Sequence, residues 1–182
     1  MQVWDRLQGT TYTFTSLRST LLMKPLDILK QLKQESMLEL YPNVPKYAIS
    51  APKYEDKTAN GLTKCVKEFL ELSGYQAERI NTMGRPIDNR KQVTDVIGRT
   101  KTIGSMTWGK STATKGSADI SATILGRSVK IEVKIGRDRQ SEHQKVYQEA
   151  IEKSGGQYWI VKNFADFYEK YQNLLESNKS IS

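Results

Sequence analysis

Residues 116–135 read GSADISATILGRSVKIEVKI, and their alternation decides how this chain folds. Ile120, Ala122 and Ile124 alternate with Asp119, Ser121 and Thr123. After a turn, Val129, Ile131, Val133 and Ile135 alternate with Lys130, Glu132 and Lys134. Period-two alternation on both sides of a glycine-bearing turn predicts a half-buried β-hairpin. With Gly126 and Arg127 as the two loop residues, positions whose numbers sum to 253 face one another. Ser121 then opposes Glu132, and Asp119 opposes Lys134. Opposed residues project from the same face of a sheet, so Asp119, Glu132 and Lys134 are expected to converge on a polar face, the two acids roughly 5–8 Å apart at Cβ. A one-residue slip would turn the whole apolar set outward, so the pattern itself enforces the face assignment.

Two carboxylates brought this close repel each other unless a cation lies between them. Oxygen ligands suit a hard divalent ion, Mg²⁺ or Mn²⁺. Lys134 beside them adds a positive group able to orient a water or to stabilise charge on a phosphorane-like transition state. The chemistry that combines these parts is metal-assisted hydrolysis of a phosphodiester. An E-x-K on a strand is also a common cross-strand charge pair. The aspartate across the ladder, and the basic segment upstream, favour the site.

That segment, residues 81–117, carries Arg85, Arg90, Lys91, Arg99, Lys101, Lys110 and Lys115 against Asp88 and Asp95. Seven cations against two anions give +5, most of the chain's formal +8. With a pI near 9.5, the surplus favours polyanionic partners, nucleic acid first and acidic membrane second. Gly84, Gly98, Gly104, Gly109 and Gly116 are interleaved, which reads as short strands and mobile loops leading to the hairpin. The segment is either a surface that meets backbone phosphates, through Arg85, Lys110 and Lys115, or a solvated loop region. Arg137 and Arg139, just past the second strand, are further candidates for meeting a scissile-strand backbone.

At 182 residues the chain suggests one domain with extra length. An apolar share of 37% with 26% charged excludes disorder and a membrane protein. No apolar run of about 18 residues occurs, and the N-terminus lacks the basic start and apolar stretch of a secretory signal. Cys65 is the lone cysteine, which excludes an internal disulfide and a multi-cysteine zinc site, and fits a reducing cytoplasm. Residues 1–55 read as an extension with one helical pattern, PLDILKQLKQESMLEL, followed by Pro42, Pro45 and Pro52. This extension either packs on the core or recruits a partner. Ala59, Leu62, Val66, Phe69 and Leu70 predict a helix from Thr58 to Ser73, capped by Thr58 and Gly74, with Cys65 as a buried thiol and a strand over 75–80 behind it. Phe164, Phe167, Tyr168, Tyr171, Leu174 and Leu175 predict a closing amphipathic helix. Gln144, Tyr147, Gln148 and Ile151 share a face directed at the sheet, and His143 faces solvent.

Taken in order, Gly116 and Asp119, then Glu132-Val133-Lys134, then Ser141 with Gln144, then Gly155-Gly156 running into 158–161, resemble the VRR-NUC group of the PD-(D/E)xK superfamily, relatives of Holliday-junction resolvases and restriction-type nucleases. The resemblance spans about residues 58–167 and is strongest over 115–161. It implies an α/β fold, with a restriction-endonuclease-like αβββαβ core over 56–178, a small mixed sheet flanked by helices, and an N-terminal helical extension. Asp119, Glu132 and the backbone carbonyl of Val133 would ligate the metal, Lys134 would be the catalytic lysine, and Gln144 would help position phosphate or water. Ser141 and Gln144 also form a capping box, a sufficient structural reason for both. Two features depart from the pattern. Ala118 stands where a proline is usual, and the first helix starts Lys57-Thr58-Ala59-Asn60-Gly61 without its acid, leaving Asn60 or Asp56 to take that place.

The function implied is that of a Mg²⁺- or Mn²⁺-dependent DNA endonuclease acting on structured or branched DNA in replication, repair or recombination, of a phage or mobile-element kind, in bacterial or phage-infected host cytoplasm. A resolvase-like enzyme would be a homodimer, because paired incisions need two symmetric sites. Residues 1–55 would be the place for a replication or recombination partner. The alternative is a nucleic-acid-binding module that keeps the fold but has weak or no catalysis.

Overall fold

The computed structural model describes residues 23–81, 84–111 and 113–179. The first 22 residues of the expected extension lie outside the described residues. Helix α1 (Pro25–Leu40) starts on its proline, where the missing N–H costs nothing. Helix α2 (Ala59–Leu72) is capped as expected: Thr58 Oγ1 accepts from the Gly61 amide at 3.1 Å. Strand β1 (Gln76–Arg79) follows a short turn. Strands β6 (Ile120–Ile124) and β7 (Arg127–Val133) are the expected hairpin, helix α3 (Glu142–Lys153) leads to β8 (Gln157–Val161), and α4 (Phe164–Lys179) closes the chain.

These strands form one mixed sheet in the order β1-β6-β7-β8. The first three are antiparallel neighbours, while β8 runs parallel to β7. A parallel neighbour requires a crossover, which α3 supplies. One sheet face carries Ile120, Ala122, Ile124, Val129, Ile131, Val133 and Val161, and it is covered by α1, α2 and α4. Phe69 of α2 is the hub of that core. Its ring meets Phe164, Phe167, Tyr168 and Tyr171 edge-on at 5.1–5.7 Å, the arrangement preferred by aromatic quadrupoles. Leu29 of α1 is fully buried in the same cluster, so the one helical pattern of residues 1–55 packs on the core. Cys65 is buried as expected, and burial raises its thiol pKa to about 11.

The hairpin register differs from the expected one. The turn residues are Leu125 and Gly126, at φ 50° and 74°, and pairing runs Ile120 with Ile131 and Ser121 with Lys130, so partners sum to 251 rather than 253. Two positive φ values mark a type I′ turn, which prefers glycine in its second place. Turning one residue later would have put Arg127 there. Leu125 carries a left-handed backbone cost of roughly 1–2 kcal/mol, offset by its packing against the core. Because the shift is by two, parity is kept and every side chain stays on its expected face. The polar face, however, is not open. Helix α3 lies over its far end, and β7 goes from half-buried near the turn to buried throughout at residues 131–133.

Residues 81–117 contain the expected short strands, and these pair with one another into a single element that was not expected. Strand β2 (Arg85–Asp88) pairs with β5 (Met106–Gly109), and β3 (Lys91–Thr94) pairs with β4 (Thr100–Ile103). Arg85 faces Gly109 and Lys91 faces Ile103, so both ladders keep one register, and the Asn89 amide donates to the Ser105 carbonyl between them at 3.3 Å. The four strands are one antiparallel arm, exposed at every residue from 85 to 108. With neither face buried there is no period-two signal, so the sequence shows short strands here but not their pairing into one arm.

Candidate active site

The sheet end at which β7 finishes gathers the predicted chemistry. Continuing the β6–β7 register by one residue sets Asp119 opposite Glu132. On its other side, the Asp119 carbonyl accepts from the Ile80 amide at 2.8 Å, which extends the β1 ladder. Asp119 Oδ2 accepts from the Val133 amide at 2.9 Å. Asp119 is therefore tied to β1 by its backbone and to β7 by its side chain. In an antiparallel ladder the N–H and C=O of one residue face the same neighbour, so the Val133 carbonyl is presented towards Asp119 as well.

Glu132 is 2% exposed and Lys134 7%, far more buried than a hairpin with an open polar face would allow. Lys134 Nζ lies 3.1 Å from Glu132 Oε1 and 3.3 Å from Asp138 Oδ2. Glu132 also accepts from Gln144 Nε2 at Oε1 and from the Tyr158 hydroxyl at Oε2, the latter at 3.3 Å. Burial and the neighbouring Asp119 carboxylate raise the Glu132 pKa, and the hydrogen bonds from Lys134 and Tyr158 only partly offset them. Burial works against the Lys134 ammonium, but the Glu132 and Asp138 carboxylates outweigh it and hold the pKa above the ordinary lysine value. Those two carboxylates therefore favour the charged form of Lys134. Tyr158 is pushed well above the ordinary tyrosine range by burial and by Glu132, so it stays a neutral donor.

Gln144 has both of its expected roles at once. The capping box forms, with the Gln144 amide donating to Ser141 Oγ at 3.3 Å and Gln144 Oε1 accepting from the Ser141 amide at 2.9 Å. Fixing Oε1 in the cap leaves Nε2 for Glu132. The cap orients the acid. Gly116, at φ 82°, lets the turn preceding Asp119 lie against α3: a Cβ there would lie 2.4 Å from the His143 carbonyl oxygen. Between Gly116 and Asp119, Ser117 Oγ is buried with no hydrogen-bonding partner among the described residues.

The other predicted residues sit around this centre. Arg137 and Arg139 are exposed on the loop that follows β7, with Asp138 between them turned back to Lys134. Arg85 and Lys110 are exposed at the root of the arm, and Lys115 is exposed beside Gly116. Asp56 Oδ2 accepts from the Phe164 amide at 3.1 Å. Asn60 is held by Arg79 at 2.7 Å. Tyr158 and Asp138 were not foreseen. Tyr158 needed the parallel β7–β8 register, which puts it beside Lys130 on the face shared with Glu132.

Two acids, one backbone carbonyl and no thiol or imidazole form a hard-oxygen donor set. Burial first, and the Asp119 carboxylate second, raise the proton affinity of Glu132, and Mg²⁺ or Mn²⁺ between the two acids would relieve their repulsion, so such an ion fits these residues. Among the described residues, no cluster of three or more His, Cys, Asp or Glu side chains has a metal-holding arrangement. Comparison with known protein families, with curated proteins and with solved structures gave no match.

Proposed function

We propose that this chain is a metal-dependent deoxyribonuclease of the PD-(D/E)xK type, hydrolysing phosphodiester bonds in structured or branched DNA. The observation that carries the reading is the meeting of Asp119, Glu132 and Lys134 at one sheet end, with Glu132 buried and its pKa raised by burial and Asp119. The run α2-β1-β6-β7-α3-β8 supports it too, because it follows the αβββαβ order of a restriction-endonuclease-like core. The basic rim from Arg85, Lys110, Lys115, Arg137 and Arg139 suits a phosphate backbone.

Asp119, Glu132 and the Val133 carbonyl would hold Mg²⁺ or Mn²⁺. That ion, when bound, would polarise the phosphoryl oxygen and lower the pKa of a water. Lys134 keeps its proton and supplies a positive group for charge developing on the phosphate. Gln144 and Tyr158 hold the Glu132 carboxylate in place, and Asp138 holds Lys134 from the solvent side. Burial of Glu132 and Lys134 strengthens these electrostatic interactions relative to an open surface.

The test is incubation with supercoiled plasmid, single strands and four-way junctions, in Mg²⁺, Mn²⁺ or EDTA. Cleavage should require the metal and fall at least about 100-fold in Asp119→Asn and in Lys134→Gln. Binding without cleavage under either metal would instead make the chain a nucleic-acid-binding module of the same fold.

A further inference from the structure

The arm formed by residues 85–109 has two chemically different faces, and only its register reveals them. Partners in both ladders have the same parity, so odd-numbered residues share one face and even-numbered residues the other. Arg85, Lys91, Lys101 and Arg99 are all odd. The remaining cation, Arg90, is even, and it is neutralised by Asp88, with Arg90 Nη2 2.8 Å from Asp88 Oδ2. The one acid on the odd face, Asp95, is engaged by the tip, accepting at Oδ1 from the Ile97 amide at 3.0 Å and the Arg99 amide at 2.8 Å. The odd face therefore presents four cations without an ion pair among the described residues. The cations of the odd face are interleaved with exposed Ile87, Val93, Ile97 and Ile103. The even face presents Thr94, Thr100, Thr102, Met106 and Trp108.

Register also sets the spacing. Lys101 lies opposite Val93, and Arg99 follows two residues nearer the tip. From Arg85 to the level of Arg99 is ten residues, about 33 Å at the rise of an extended strand. At 3.4 Å per nucleotide along a strand, that length matches about ten base pairs. The arm leaves the sheet between β1 and β6, at the end where Asp119 bonds to Ile80, and Ser111 Oγ donates to the Asn81 carbonyl at its root at 3.2 Å. Its cations thus extend outward from the edge of the candidate active site.

We propose that the odd-numbered face of this arm binds the phosphates of a DNA duplex flanking the scissile bond, so the preferred substrate carries a duplex flank of about ten base pairs. Charge selects this occupant over a second copy of the chain, because two such faces would repel. The inference rests on the reading of the chain as an enzyme of DNA, and it narrows the substrate of that site.

The test measures binding by fluorescence anisotropy in EDTA, across a salt series, with a 20-base-pair duplex and a single strand of equal length. Lys91→Ser and Arg90→Ser alter adjacent residues on opposite faces. Both are exposed, so the melting temperature should stay unchanged. Lys91→Ser should reduce the slope of log affinity against log salt by about 0.9, the share of one phosphate contact, and Arg90→Ser should leave it in place. Lys91→Ser, Arg99→Ser and Lys101→Ser combined should weaken duplex binding at least tenfold near 0.1 M salt and reduce the slope by about 2.7. Equal behaviour of the two single variants, an unchanged slope in the triple variant, a loss confined to the single strand, or no duplex binding by the parent would each overturn the proposal. Since EDTA prevents metal-dependent cleavage, a parent that binds in this way but cuts nothing in Mg²⁺ or Mn²⁺ would keep the arm and remove the nuclease.

Discussion

At the residue scale, the burial of Glu132 separates chemistry from folding. Glu132→Ala would leave Lys134, itself 7% exposed, short of its buried partner, and breaking such a pair costs about 3–5 kcal/mol. Loss of cleavage in that variant would therefore say little about mechanism. Glu132→Gln keeps an oxygen for Lys134 and Gln144 and removes the charge. We expect it to melt close to the parent while cleaving at least about 100-fold more slowly, as read by thermal melting beside a plasmid assay. The raised pKa of Glu132 has a definite sign. In the metal-free protein the folded state holds this proton more tightly than the unfolded chain. The resulting stabilisation is present below the unfolded value and lost as pH rises through the folded one. Denaturant titrations should show that fall in the parent and not in Glu132→Gln, while apparent Mn²⁺ affinity rises over the same window as the carboxylate deprotonates. The shared face of Asp119, Glu132 and Lys134 was legible because alternation fixes parity, and parity fixes the face. Tyr158 and Asp138 were not, because they reach the site from another strand and from a loop.

At the element scale, helix α3 is what turns a charged strand face into an enclosed site. Its capping box aims Gln144 at Glu132, and Gly116 lets the β6 approach pass against its first turn. Gly116→Ala would put a Cβ 2.4 Å from the His143 carbonyl oxygen at φ 82°, a strain of about 1–3 kcal/mol or more. We expect a melting temperature several degrees lower and a larger proportional loss of cleavage than of DNA affinity, since the shifted helix carries Gln144. The caps of α2 and α3 and the apolar stripe of α4 were readable from Thr58, from Ser141 with Gln144, and from 164–175, because each rests on local spacing. The hairpin register differs from the sequence expectation by two, since the choice between Gly126-Arg127 and Leu125-Gly126 depends on turn twist rather than on hydrophobic pattern. The arm was unreadable as one element for the opposite reason: no described element packs on it, so burial left no period.

At the scale of the whole molecule, the sheet divides its labour between two faces. One face, under α1, α2 and α4, is an apolar core centred on Phe69. The other, beneath α3, buries Glu132 and Lys134 among Gln144 and Tyr158. A buried acid pair with a buried lysine is a poor way to stabilise a fold, because desolvation opposes the attraction. Its cost is explained if a cation and a phosphate complete the set. The measurement that tests this most directly is anomalous scattering at the manganese edge from a crystal grown with Mn²⁺. The account predicts one ion between Asp119 and Glu132, at roughly 2.1 Å from a carboxylate oxygen of each, with Lys134 still facing Glu132. A manganese-soaked crystal with no ion between those carboxylates, or with the ion held elsewhere, would contradict it.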